Sequence, residues 1–370
     1  MRDKLAERLL AKVMAWSPED VGRERPILQA MASYKYDEYH QFSPGMRFVE
    51  SLALWLEQFK TPEQKEVAYS FVKSKLIFVS SAEMNHFVSM AYHDYVRPFL
   101  LKKVAAENAL NEYHVHKLAS TAVFKIRQRQ CLFLGLSDGA RTDVFRRFNS
   151  PELSHEQVLQ NYEVSSGRTQ KLLDELAKDL SSLIGKAAPK EEITFRTIVL
   201  LDDFSASGRS YLMEKDGGKD FSGKIAGFHR SITDGDARPL ADIKKAEIIV
   251  LLYCGTDQAR EHLSVHLERL WKPLGVSYSI IIVHPLTNEI TLTPTQDPQL
   301  NALIDGYYDP DIEDEHTRKG GGDVKYGFSG CGLPLVLAHN TPNNSLYLLW
   351  AESKKLRALF PRVHRHRKQS

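Results

Sequence analysis

The chain has 370 residues, with 49 Lys and Arg against 47 Asp and Glu and a formal net charge of +2. Such a length supports a large core, as two domains or one domain with additions, and so balanced a charge gives no whole-protein field for nucleic acid or an acidic membrane. Cys131, Cys254 and Cys331 are far apart and form no CxxC, which fits a reduced cytoplasmic protein without structural zinc; the charged first 16 residues argue against a signal peptide, and no apolar run reaches the roughly 18 residues of a membrane span.

Residues 1–112 read as a helical region, with Leu5, Leu9 and Val13, and later Phe48, Leu52, Trp55 and Phe59, falling on single helical faces. Ser17-Pro18, Ser43-Pro44 and Thr61-Pro62 look like helix starts, and Ser80 with Glu83 forms a capping box. Tyr34, Tyr36, Tyr39, Tyr92 and Tyr95 suit a core, with a partner interface as the alternative.

Gln130 to Leu136 reads as a buried strand that breaks at Ser137-Asp138-Gly139-Ala140-Arg141 before a helix through Phe148. That corner is either anion-shaped or a plain Asp-Gly turn. Ser150-Pro151 and Ser154 with Gln157 predict further helix starts. Val164 to Thr169, with Ser-Ser-Gly-Arg inside it, precedes an amphipathic helix carrying Leu172, Leu173, Leu176 and Leu180.

The most informative stretch is Ile198 to Ser210. Four aliphatic residues predict a strand ending at Leu201 or Asp202. Asp202 and Asp203 follow, then Phe204, Ser205, Ala206, Ser207, Gly208, Arg209 and Ser210, with a helix expected from Tyr211 and Leu212. Hydroxyls, a permissive glycine and helix-terminal amides make a cup for a phosphate. Paired carboxylates beside it accept from a diol or hold a hydrated Mg²⁺. A strand-to-helix turn with solvated acids is the plainer alternative.

Ala246–Tyr253 and Tyr278–Val283 supply two more aliphatic strands around a helix from Asp257 to Trp271. Such runs predict a parallel sheet covered on both faces, with ligands at the strands' C-terminal ends, near Asp202, Asp203, Ser137 and Thr256. His262 and His266 make half a metal site or a packed pair. Asp309–Glu315 and Gly320–Gly322 look like a mobile loop, Leu335–Leu337 and Leu346–Trp350 like strands flanking an Asn-rich turn, and Arg362–Lys368 like a basic tail; direct nucleic-acid binding has no further support.

The aliphatic-Asp-Asp-Phe-Ser-Ala-Ser-Gly-Arg-Ser pattern resembles the ribose-phosphate signature of type I phosphoribosyltransferases, and the stretch 327–366 resembles the phosphoribosyltransferase-like effectors of bacterial conflict and anti-phage systems, retron-associated ones included. The resemblance implies an α/β fold: an N-terminal helical region (1–112), a parallel-sheet core (113–290), and a C-terminal hood with its tail (291–370). It implies that residues 205–210 hold a 5′-phosphate, that Asp202 and Asp203 hold the ribose diol and Mg²⁺, and that Ser137 to Arg141 bind pyrophosphate, with Arg141 neutralising its charge and Ser137 or Asp138 capping the next helix. Val164–Thr169 becomes a candidate lid, and Asn340, Asn343 and Asn344 candidates for a nucleobase edge, with ordinary turns as the alternatives. Function follows as transfer or hydrolysis at ribose C1′ of phosphoribosyl pyrophosphate or a nucleotide in defence. A sensor controlling a protein or nucleoprotein partner through the N-terminal helices is the second reading, and an inert scaffold the third.

Overall fold

The computed structural model describes residues 2–363 apart from 216, 218, 219 and 319. The predicted basic tail therefore lies, beyond Val363, outside the described residues. Two compact units are formed, one from Met1–Glu83 with Thr287–Ser370 and the other from Met84–Leu286. Among the described residues no helix is long and apolar enough to cross a membrane.

The first unit begins with helices α1 (Arg2–Val13), α2 (Pro18–Tyr34), α3 (Phe48–Glu57) and α4 (Pro62–Ser74), then a short strand, β1 (Ile77–Val79). Caps set several of these boundaries: the Ser17 hydroxyl accepts from Asp20 N at 3.1 Å, Thr61 Oγ1 from Gln64 N at 3.3 Å, and Ser80 and Glu83 bond reciprocally. Ser43-Pro44 starts no helix. Gly45 turns left-handed at φ +83° and Met46 N donates to Ser43 O, so the chain makes a tight turn and α3 waits for Phe48.

The second unit continues with α5 (Ser81–Met90, straddling the junction), a π-helical turn at Ala91–Val96, α6 (Arg97–Glu107), α7 (Val115–Ser120) and α8 (Ala122–Arg129). Then come β2 (Cys131–Gly135), α9 (Thr142–Phe148), β3 (Val158–Gln160), α10 (Ser166–Ile184), β4 (Thr197–Ser205), the hairpin β5 (Met213–Lys215) and β6 (Asp220–Ser222), α11 (Lys224–Thr233), β7 (Glu247–Thr256), α12 (Asp257–Trp271) and β8 (Ser277–Leu286). The main sheet has five strands in the order β3-β2-β4-β7-β8, all parallel. Leu132, Leu200, Val250 and Leu252 pack with Leu176 of α10, Phe228 of α11 and Leu267 of α12. On the opposite face Phe133 meets Phe145 at 4.9 Å and Tyr92 at 6.0 Å between ring centroids. The α/β parallel-sheet fold is the predicted one, because strands buried on both faces need unbroken aliphatic runs.

Several local expectations are overturned. Strand β4 does not end at Asp202 but continues to Ser205, since Phe204 and Ser205 still pair with Cys254 and Gly255. Tyr211 and Leu212 start no helix; both are buried in the core, the hairpin follows, and α11 begins only at Lys224. Its first amides return to the loop, Lys224 N to Ser210 O (3.2 Å) and Ile225 N to Tyr211 O (2.9 Å). The Ser-Ser-Gly-Arg candidate lid is the first turn of α10, capped by Ser165 accepting from Arg168 N. Near Ser154 the helix is a single 3₁₀ turn, His155–Gln157, that feeds the edge strand β3.

Back in the first unit lie α13 (Pro298–Tyr307), α14 (Glu315–Arg318), β9 (Leu335–Leu337) and α15 (Tyr347–Trp350). Leu346–Trp350 is thus no strand: all of its side chains are buried, and Trp350 Nε1 donates to Ser345 O at 2.8 Å in a closed turn. In the predicted mobile loop, Pro310–Ile312 and α14 form ordered helical turns. Strand β9 pairs parallel with β1, and residues from both segments share one core, which is why the units do not coincide with divisions after residues 112 and 290.

Candidate functional site

The C-terminal ends of β2 and β4 bring the Ser137–Arg141 turn, the acid pair and the 205–210 loop together within the second unit. Successive side chains of a strand alternate faces, so the two acids of β4 have different surroundings. Asp202 is fully enclosed, on the face that packs against α11. Its carboxylate accepts from the Ser137 hydroxyl and the Lys224 ammonium, and from Asp203 N at 3.1 Å. The same ammonium lies 4.6 Å from the centroid of the Tyr211 ring.

Asp203 keeps a partly exposed edge. One oxygen accepts from Phe204 N at 2.8 Å. Burial first, and then the charge of Asp202, push its pKa up to about 7, against lowering by Lys224. Gly139 lies directly on this carboxylate: a Cβ there would stand 2.5 Å from Asp203 Oδ2. The turn is thus shaped to leave room for Asp203.

The turn's other residues depart from their predicted roles. Neither Ser137 nor Asp138 caps α9: the first serves Asp202, the second accepts from Tyr162 OH at 3.0 Å, and Arg141 occupies the cap position. Arg141 has the left-handed backbone unusual for a residue with a side chain, at φ 48°, and its guanidinium donates to Asn85 Oδ1 at 3.0 Å. Ala140 is buried, and its carbonyl accepts from Tyr253 OH at 2.9 Å. Burial and the two acids hold the Tyr253 phenol well above its usual range, so it stays a donor.

In the following loop Ser205 turns inward, its hydroxyl accepting from Gly208 N at 3.2 Å. The Ala206 carbonyl is tied down by Thr256, which also caps α12 by accepting from Ala259 N. Gly208 is left-handed at φ +72°, and a Cβ there would meet His262 Cδ2 at 2.8 Å. Among the described residues no partner engages the amides of Ser207 and Ser210. Those two amides, with the Ser207 and Ser210 hydroxyls and the half-exposed Arg209, are what the loop offers an anion.

The histidine pair is packed: the rings of His262 and His266 stack at 3.9 Å, and His262 Nε2 bonds Leu212 O. Burial lowers the His262 pKa. Asn340, Asn343 and Asn344 belong to the first unit, where they hold turns. Asn340 Oδ1 accepts from Val363 N, the Asn343 carbonyl from Phe328 N, and Asn344 Nδ2 donates to Phe328 O.

The PRTase-CE family model, for phosphoribosyltransferase-type conflict effectors, matches residues 52–362. The chain belongs to the PRTase-CE family. No curated protein and no solved structure matches it. A phosphoribosyltransferase-like role goes with PRTase-CE membership.

Three groups of this candidate site were invisible in the sequence. Lys224 follows the acid pair by 22 residues, across the hairpin, and no motif marks it. Asn85 and Tyr253 carry no signal beyond the helix and the strand that hold them. The acid pair itself does not fit a directly bound Mg²⁺, because one of its two carboxylates is already neutralised by an ammonium and enclosed. Among the described residues no cluster of three or more His, Cys, Asp or Glu offers an alternative metal site.

Proposed function

We propose that this PRTase-CE protein binds a 5′-phosphorylated ribose, as phosphoribosyl pyrophosphate or a nucleotide, and makes or breaks a bond at C1′. The observation that carries the reading is the convergence of two strand-end turns on one partly exposed carboxylate: Gly139 pressed against Asp203 and, after the same strand, the left-handed loop at Gly208. The 5′-phosphate takes the amides and hydroxyls of Ser207 and Ser210, a ribose hydroxyl donates to Asp203, and the leaving group lies toward Arg141. As the C1′ bond breaks, its electron pair departs with pyrophosphate or base, and the positive charge growing on the ribose is favoured by the nearby carboxylate. Water or another acceptor then forms the new bond to C1′ and gives up a proton. Binding at the distant phosphate orients the anomeric carbon.

In an effector of bacterial anti-phage defence, hydrolysis drains a nucleotide pool and transfer marks an acceptor. Calorimetric titration of phosphoribosyl pyrophosphate and 5′-mononucleotides, with and without Mg²⁺, tests the reading. Asp203→Asn is expected to weaken binding by roughly 1.5–3 kcal/mol, about tenfold to over a hundredfold. Free base or ribose 5-phosphate released from nucleotides marks hydrolysis. Equal affinity of wild type and variant would falsify the site. The second reading, a sensor that binds without turnover, is favoured by one feature: Lys224 and Ser137 already occupy the Asp202 carboxylate. Binding with no product, natural partners present, is its signature.

A further inference from the structure

The acid pair is expected to work as two equal ribose ligands, yet its members are not alike. We infer that Asp202 is an internal counter-ion for Lys224, and that Lys224 is the positioning residue that fixes this carboxylate behind Asp203, which alone meets the ligand. The inference rests on the ribose-phosphate reading for its ligand side only.

Three observations carry it. Asp202 has no exposed surface, whereas Asp203 keeps an open edge. Each Asp202 oxygen is occupied, Oδ1 by the Ser137 hydroxyl and the Asp203 amide and Oδ2 by the ammonium of Lys224. Lys224 is held from a second side by the Tyr211 ring, and its own amide is bonded to Ser210 O, so the ammonium rises from the base of the loop that carries the candidate phosphate site. A sugar hydroxyl reaching Asp202 would have to displace one of these partners from an enclosed position.

The arrangement fixes the register between loop and acid pair. Ser137 ties the β2 turn to Asp202, and Lys224 ties α11 to the same carboxylate, so a single buried anion joins three segments around Asp203. The charged groups acting on Asp203 include Asp202, Lys224 and Arg141, with Tyr211, Tyr253 and Cys254 kept protonated beside it.

The test is a double-mutant cycle with Lys224→Met, Asp202→Asn and the pair of them, read by thermal unfolding and by calorimetric titration with phosphoribosyl pyrophosphate. Removing the ammonium leaves an enclosed carboxylate without its counter-charge. Lys224→Met is therefore expected to melt well below wild type. Adding Asp202→Asn should recover much of the loss, because the unpaired group is gone. Asp202→Asn and the double variant should each lose less phosphoribosyl pyrophosphate affinity than Asp203→Asn, which loses about tenfold or more.

A double variant no more stable than Lys224→Met overturns the counter-ion. A fall in affinity for Asp202→Asn as large as for Asp203→Asn overturns the division of labour, making Asp202 a ligand group. Should wild type bind no phosphoribosyl pyrophosphate or nucleotide, the ribose reading fails, while the thermal cycle still decides the counter-ion.

Discussion

Adding one methyl group at Gly139 probes the site without touching a charge. The Cβ of Gly139→Ala would fall 2.5 Å from Asp203 Oδ2, 2.7 Å from its Cγ and 2.9 Å from its Oδ1. Ordinary contact begins near 3.5 Å, so the carboxylate must retreat by about 1 Å. Gly139 does not use the left-handed region, hence alanine brings no backbone strain of its own. The retreat strains the 2.8 Å bond from Phe204 N, a loss of about 1 kcal/mol in stability. For a ligand hydroxyl aimed at that carboxylate, a 1 Å displacement removes most of a charge-assisted hydrogen bond, about 1.5–3 kcal/mol, or roughly tenfold to a hundredfold in Kd. Calorimetric titration of phosphoribosyl pyrophosphate at pH 8, paired with a melting curve, measures both. A variant that melts within a few degrees of wild type and binds with unchanged affinity would refute the placement of the ribose on Asp203.

Other outcomes follow from the same geometry. Gly208→Ala combines a left-handed backbone with a Cβ 2.8 Å from His262 Cδ2, and should cost about 1–3 kcal/mol in urea unfolding as well as weakening ligand binding; unaltered stability would contradict the loop conformation. Because the Asp203 pKa is raised to about 7, the folded state binds a proton that the unfolded chain releases near 4. Its contribution to stability is present at acid pH and lost as pH rises through 7, whereas ligand affinity grows over the same interval; Asp203→Asn should remove both slopes. Phe360→Ala in the first unit removes a fully buried ring in contact with Tyr36, Tyr39, Phe42, Phe48 and Phe78, and about 3–5 kcal/mol of stability by urea titration is the expected loss. Arg129 donates through Nε to Asp179, yet its two terminal nitrogens are buried without partners, so Arg129→Met should be neutral or stabilising in the same assay.

The parallel strands could be read in the sequence because Ile198–Leu201 and Ile248–Leu252 are aliphatic without interruption, the pattern that burial on both faces requires. The acids and Gly208 were legible for a similar reason: few environments call for two adjacent carboxylates at a strand end followed by a left-handed glycine among hydroxyls. Lys224 was hidden because its partner is set by tertiary packing across a hairpin, and a lone lysine at a helix start ordinarily reads as a solvated charge. Leu346–Trp350 shows the opposite failure. A short apolar run has no period that separates a buried strand from a buried turn, and here packing all round chose the turn. Strand β3, only three residues long, left too little pattern to read.

The first unit is assembled from segments synthesised far apart in time. Tyr39 meets Thr341 across 302 residues of chain, Ser51 meets Leu359 across 308, and Trp55 meets Leu348 across 293. On a ribosome the complete five-stranded sheet emerges while the helices of residues 1–83 still await their partners. Their exposed apolar faces are then open to chaperones and proteases until Thr341, Leu348 and Leu359 have been made. A nascent chain halted near residue 300 should accordingly yield a protease-resistant fragment from residues 84–286 and digested helices before it. In a cell, a truncated message would release the sheet and its candidate site without a finished first unit, so the length of the translated product decides whether that unit exists at all.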